Sequence, residues 1–218
     1  MNRENQGNIA DTKVKRKARR AFHFTEKGGI MTNREILDQM MSRGRITQKE
    51  GWQFFDMLEP ANPAQMRGKW KGSELASGHP MDGMLAASGW YGKYFCDREN
   101  VYPLLFEGRG GELYAANPAL LPLRLAERLP RRLIKGLFPL MAPLIRTAQS
   151  SARLRTMKCR NKLTAVMIYD RQPVLDIFAR VDENTLLGIS DFKWEHEAGY
   201  FFVLEKVADA GREAAGEH

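Results

Sequence analysis

Apolar residues along this chain follow two periodicities, and the change from one to the other outlines the fold. From Thr32 to Gly44, and again from Thr47 to Pro60, they recur at helical spacing. In the second run Trp52, Phe55 and Leu58 make one stripe at i, i+3 and i+6. Each run opens on a capping signal, Thr32 or Asn33 for the first and Thr47 with Glu50 three residues later for the second. Gly44 and the turn Pro60-Ala61-Asn62-Pro63 close them. The pattern predicts helices over about 33–43 and from Thr47 to the turn at Pro60.

Alternation then takes over. Residues 66–76 read as a strand, and Pro80 to Ser88 as a helical turn closed by Gly89. VYPLLFE (101–107) and ELYAA (112–116) read as a hairpin across Gly108-Arg109-Gly110-Gly111. From 152 onward ARLRTMKC, KLTAVMIYD, PVLDIFARV, TLLGISDF and GYFFVLEK follow one another across tight turns, the mark of an antiparallel meander. Between them, residues 119–149 are helical and basic, and prolines at 122, 130, 139 and 143 predict broken helical segments. Three strands before this insert and five after it make about eight, the number at which an antiparallel sheet closes around side chains or one small ligand. The expected fold is α+β, mainly β, with segments at 1–30 (basic tail), 31–60 (helical), 61–118 (first barrel strands), 119–150 (helical insert), 151–207 (meander) and 208–218 (flexible tail).

Composition changes this picture little. Hydrophobic residues make up 43% and charged residues 28% of the 218 positions, as in soluble globular proteins. No apolar run approaches the roughly 20 residues of a membrane-spanning helix. The longest apolar-rich stretch, LIKGLFPLMAPLI (133–145), is interrupted by Lys135, Gly136, Pro139 and Pro143. No signal-peptide core follows the N-terminus, and two cysteines, Cys96 and Cys159, read as reduced thiols, so the expected compartment is cytoplasmic. The net charge of +8 is concentrated in residues 1–30, which carry +5 and leave +3 for the rest. That segment reads as a tail ahead of a folded unit opening near Met31, and specific nucleic-acid binding is not expected.

The chemistry-bearing residues cluster in a few places. In MRGKWKGSELASGHPMDG (66–83), Gly68 and Gly72 remove side chains where a neighbour comes close, and Trp70 supplies a plane suited to plugging a barrel end or meeting a ligand. GWYGKYF (89–95) reads as wall or rim of a cavity, which brings in Trp90 and Tyr91. In PVLDIFA, Asp176 shares a face with Val174 and Phe178, so its carboxylate needs a partner or a role, with Arg153, Arg155 and Lys162 as candidate partners. Histidines at 23, 79, 196 and 218 are scattered, His196 in a charged hairpin tip. No Cys-x-x-Cys or phosphate-binding glycine loop is present, so neither metal nor cofactor is expected.

The stretch GKWKG…GHPMDG…GWYGKYF…VYPLLFE resembles the bacterial and fungal GXWXG domain. LRTMKCRNKLTAVMIYDRQPVLDIFARVDENTLLGISD…FFVLEK resembles the domain that follows it there, domain of unknown function 4334. Together they span about residues 45–206. The resemblance implies a calycin-like barrel in the style of lipocalins, and it brings no settled activity. Where the family often has Asp-His-Phe this chain has Asp176-Ile177-Phe178, which removes any histidine role at 177.

The expected function is binding of a hydrophobic small molecule, lipid- or isoprenoid-like, with Trp70, His79, Asp82, Trp90, Tyr91, Tyr169, Asp176 and Phe178 as the candidate ligand contacts. The alternative is a cofactor-independent isomerase, cyclase or dehydratase using the same pocket, with His79 as acid or base and Asp176 as its electrostatic partner. The insert, with Arg124, Arg128, Arg131, Arg132 and Lys135 among leucines, reads as an outer packing helix, as a lid, or through 123–146 as a contact for an anionic membrane surface.

Overall fold

The computed structural model describes residues 31–108 and 110–208, apart from the side chains of His196 and Glu197. The basic segment 1–30, most of the C-terminal tail and the expectations for His23 and His218 lie outside the described residues; His196, expected in a hairpin tip, instead lies in the strand Glu195–Lys206, the turn falling at 193–194.

Both predicted N-terminal helices form: α1 spans Asn33–Ser42 and α2 spans Gln48–Met57. Each starts on a complete capping box, Thr32 with Glu35 and Thr47 with Glu50. In both, the threonine accepts the N3 backbone N–H and the glutamate accepts the N–H of the cap, satisfying two of the donors a helix start leaves free. Their apolar faces, with Ile36, Leu37, Met40, Phe54 and Phe55, are buried.

The strands are β1 (Glu59–Pro60), β2 (Gly68–Glu74), β3 (Trp90–Phe95), β4 (Val101–Glu107), β5 (Leu113–Ala116) and β6 (Arg146–Thr147), then β7 (Ala152–Cys159), β8 (Lys162–Tyr169), β9 (Val174–Arg180), β10 (Thr185–Phe192) and β11 (Glu195–Lys206). Eight of them close an antiparallel barrel in the order β2-β3-β4-β7-β8-β9-β10-β11, with β11 pairing back onto β2. Every barrel strand therefore neighbours the next barrel strand in sequence, and the first and last seal the wall from Phe202↔Glu74 to Lys206↔Trp70. Closure gives every barrel strand a neighbour on both sides, the β4–β7 seam being the narrowest.

The expected total of eight holds with a change of membership. The 112–116 segment, counted as a barrel strand, is β5 and extends only the far end of β4. The GWYGKYF run, read as wall or rim of the cavity and not counted among the strands, is barrel strand β3. At its start β4 pairs with β7 through Val101↔Ala152, and it then diverges. The helical insert sits in that divergence.

Among the described residues three further α-helices follow: α3 (Met84–Ser88), α4 (Leu123–Ala126) and α5 (Arg131–Ile145). Pro130 separates α4 from α5 as expected, but Pro139 and Pro143 lie inside α5 without ending it. Residues 135, 139 and 143 are all exposed, so the carbonyls deprived of intrahelical bonds face solvent.

Two apolar cores result. One fills the barrel, with Trp70, Phe95, Phe178 and Phe202 at its centre. The other lies outside the wall, where α1 and α2 cover Ala179, Leu187, Ile189, Phe201 and Val203. Along β11, Phe201 and Val203 serve the outer core and Tyr200, Phe202 and Leu204 the inner one, so this strand is apolar on both faces.

Candidate functional site

Trp70 points into the barrel and is 1% exposed, while Lys69 and Lys71 on either side face solvent, as strand alternation requires. Its indole Nε1 donates to the Met66 carbonyl at 2.7 Å. The flanking glycine has a steric reason. A Cβ on Gly72 would lie 2.1 Å from the Trp90 ring, which occupies that space. Gly92, at φ +151°, faces the Trp70 carbonyl oxygen, and a Cβ there would fall 1.9 Å from it. The Gly-x-Trp-x-Gly stretch is thus the packing code by which β2 and β3 seat two tryptophans in one barrel.

The His79–Gly83 loop is an anchoring loop. Asp82 Oδ2 accepts from the backbone N–H of Ser77 at 2.9 Å and Gly78 at 2.7 Å. Its backbone carbonyl accepts from Arg131 Nε at 2.9 Å, and Pro80 O accepts from the same guanidinium, which ties the start of α5 to the loop. His79 Nδ1 accepts from Met81 N–H, which places the ring proton on Nε2, and the ring packs between Phe192 and Tyr200. Burial lowers the His79 pKa, with Asp82 opposing. Beside the loop, the Glu74 carboxylate accepts from Gly83 N–H, Leu85 N–H and, at 2.8 Å, the Tyr200 hydroxyl, holding the entry to α3.

Under α5 the barrel forms a cavity of about 150 Å³ that is partly open to solvent. Trp90, Phe192 and Phe202 line it from the barrel, and Ile134, Phe138 and Met141 from α5. Phe138 packs against Phe106 with ring planes tilted at 45° and centroids 4.6 Å apart. The wall is apolar save for one cluster. Lys93, 2% exposed, donates to Asp176 Oδ2 at 2.7 Å and to Pro103 O at 3.2 Å. Asp176 Oδ1 accepts from Ser190 Oγ at 2.6 Å, and Tyr169 OH stands 3.4 Å from Oδ2. The ammonium lies 5.0 Å from the Phe202 ring centroid, 5.4 Å from that of Trp90 and 5.8 Å from that of Tyr169. Burial pushes the Lys93 pKa down against the pull of Asp176, and burial together with Asp176 pushes Tyr169 well up.

The structure brings some of the expected residues to this cavity and not others. Trp90 and Tyr169 line it, and Asp176 stands behind Lys93 and Ser190, which also line it. Trp70, His79, Asp82, Tyr91 and Phe178 do not line it. Trp70 and Phe178 are packing residues of the closed interior, and His79 and Asp82 hold the anchoring loop. His79 and Asp176 make no hydrogen bond to one another; each has separate partners. The partner of Asp176 is also a correction. Arg153 meets Asp170, Arg155 meets Glu99, and Lys162 donates to the carbonyls of Phe55 and Leu58. Lys93 on β3, two strands from Arg153 and Arg155 on β7 and three from Lys162 on β8, takes their place.

Among the described residues no group of three or more His, Cys, Asp or Glu side chains is placed to hold a metal, and no helix is long and apolar enough to cross a membrane. Fold and site together define a closed eight-stranded barrel with an apolar cavity under a helical lid. The chain matches the GXWXG protein family over residues 53–111 and a domain of unknown function (DUF4334) over 150–206. It belongs to the proteins in which a GXWXG region precedes that domain. A crystal structure of a protein from Thermomonospora curvata is similar, at 27% identity and a TM-score of 0.60, over 82% of this chain and 100% of that one. No curated protein matches the chain.

Proposed function

We propose that the barrel binds one compact apolar molecule in the cavity under α5, and that it does so in the cytoplasm, where the unpaired Cys96 and Cys159 belong. The observation that carries this is the cavity itself, about 150 Å³ walled by aromatic and aliphatic side chains. An apolar space of this size stays dry and accepts a ring the size of benzene. Its volume favours a compact ring or short isoprenoid-like body over a whole acyl chain. Phe138 and Met141 are the lid residues that such a molecule would displace on entry.

Native mass spectrometry of the protein from its own host, beside the denatured sample, tests the proposal. A discrete added mass that vanishes on denaturation is expected. A clean unliganded mass, with no gain in melting temperature from small aromatic hydrocarbons, would remove the binding reading.

A further inference from the structure

We infer that the molecule bound under α5 carries an uncharged oxygen acceptor, a ketone, aldehyde, ester or lactone carbonyl, and that Lys93 is the residue that receives it. This inference rests on the binding reading above and names the ligand class. Its basis is the balance of donors, acceptors and charge at the cavity wall. Lys93 has three N–H donors and makes two hydrogen bonds, to Asp176 Oδ2 and to the Pro103 carbonyl. The Trp90 indole N–H is buried in the cavity wall and has no partner. On the acceptor side, Asp176 is already engaged by Lys93, Ser190 and Tyr169. The cavity therefore presents surplus donors, and a buried donor left unpaired is costly. A guest that supplies an acceptor relieves that cost, whereas a plain hydrocarbon does not.

Charge narrows the class further. Lys93 and Asp176 sum to zero whether the proton rests on the amine or on the carboxyl. A carboxylate guest would bring an uncompensated charge into an apolar space, which is heavily disfavoured. A carbonyl oxygen brings the acceptor without the charge.

Three probes of similar size separate the possibilities: acetophenone, cumene and benzoate. Their dissociation constants are measured for the full chain and for the Lys93→Met/Asp176→Leu variant, which replaces the ion pair by apolar side chains. The preference for acetophenone over cumene is expected to fall at least about tenfold in the variant. The infrared C=O stretch of acetophenone bound to the unaltered protein is expected below its frequency in hexane, a reading that needs no variant. An unchanged preference or an unshifted stretch overturns the carbonyl assignment while leaving apolar binding intact. Tighter binding of benzoate overturns it in favour of an anionic guest. If no probe binds at all, the binding reading itself fails.

An independent observation concerns the outside of the same helix, where we propose a docking face for anionic phospholipid. Of eight exposed large hydrophobic side chains among the described residues, six lie between positions 120 and 144. Leu133, Leu137, Leu140 and Leu144 form one stripe along α5, the last two at 66% and 77% exposure. Around them Arg124, Arg128, Arg132, Lys135 and Arg146 are exposed, against a single acid in the insert, Glu127. A second copy of the chain seated on this face would set like charges together, whereas an anionic bilayer complements both the leucines and the cations. The adjoining face of the helix, with Ile134, Phe138 and Met141, walls the cavity, so docking through the leucine stripe would place the lid against the phase from which an apolar molecule comes.

Flotation of the full chain with vesicles of phosphatidylcholine, with and without 30 mol% phosphatidylserine, tests this proposal. Binding is expected only with phosphatidylserine, weakened by salt and lost in Leu140→Glu/Leu144→Glu, whose changes sit in solvent. Absence of binding, or binding that persists in the variant, overturns it. A dimer in sedimentation that the same variant disperses assigns the face to a second copy instead.

Discussion

Replacing Gly72 or Gly92 by alanine separates two costs that look alike in sequence. At Gly72 the added methyl meets the edge of the Trp90 ring, a side chain able to shift, so we expect a loss of about 1–3 kcal/mol in thermal or denaturant unfolding. At Gly92 it meets the Trp70 carbonyl, and φ is +151°, so neither backbone nor neighbour yields and the loss is expected to be larger. The buried pair behaves differently again. Asp176→Ala strands Lys93 in the wall and is expected to cost about 3–5 kcal/mol, while the double replacement by Met and Leu is expected to cost far less. His79 sets a pH dependence. Its folded-state pKa lies below the unfolded value, so the unfolded chain binds the proton more readily. Its contribution is complete above the ordinary histidine pKa and declines as the pH falls through that value towards the folded one. In His79→Gln this part of the slope of stability against pH is expected to disappear. Residues also mark where sequence reading stopped. Asp176 was legible because strand alternation put it beside Val174 and Phe178. Lys93 was not, because alternation from Trp90 puts it outside. A register shift on either side of Gly92 turns Trp90 and Lys93 to the same side, and a bulge of this kind re-aims a side chain without any composition signal.

At the scale of elements, α5 is held to the rest of the molecule by few ties. Arg131 donates to the carbonyls of Asp82, Pro80, Ala126 and Leu129, and Phe138 inserts against Phe106. Two internal prolines remove two of the helix's own hydrogen bonds. Amides of 131–145 are therefore expected to exchange with solvent at lower free energy than those of β8–β10, and Arg131→Met is expected to accelerate the helix while leaving those strands unchanged. Equal protection of α5 and the barrel in native-state hydrogen exchange would show that the lid does not open by itself. The N-caps of α1 and α2 and the strands β7 to β10 stood in the sequence at close to their true bounds, because each is specified by neighbours within a few residues, whereas β11 starts at Glu195, ahead of the expected GYFFVLEK. The continuity of α5 through Pro139 and Pro143 did not, since it depends on which side of the helix faces water.

For the whole molecule, the two cores share strands. The outer faces of β9, β10 and β11 carry α1 and α2, and their inner faces complete the barrel. Helix loss followed by far-ultraviolet circular dichroism and barrel loss followed by the fluorescence of Trp70 and Trp90 in a Trp52→Phe/Trp194→Phe variant are expected to share one midpoint. Midpoints separated by several degrees would show that the helices dock on a barrel already complete without them. Barrel closure was legible as a count of strands, yet which segments formed the staves depended on pairings between distant residues.

The seal between β2 and β11 also has a consequence in time. The Gly-x-Trp-x-Gly strand leaves the ribosome early, but its partner Phe202–Lys206 comes only near the end of the described chain. Until then one edge of every nascent sheet stays unpaired and the aromatic interior open, a state of slow, non-local closure that invites association with other chains. The last of the described strands to be synthesised is thus the one that completes both cores, and the barrel commits to its shape in a single late step.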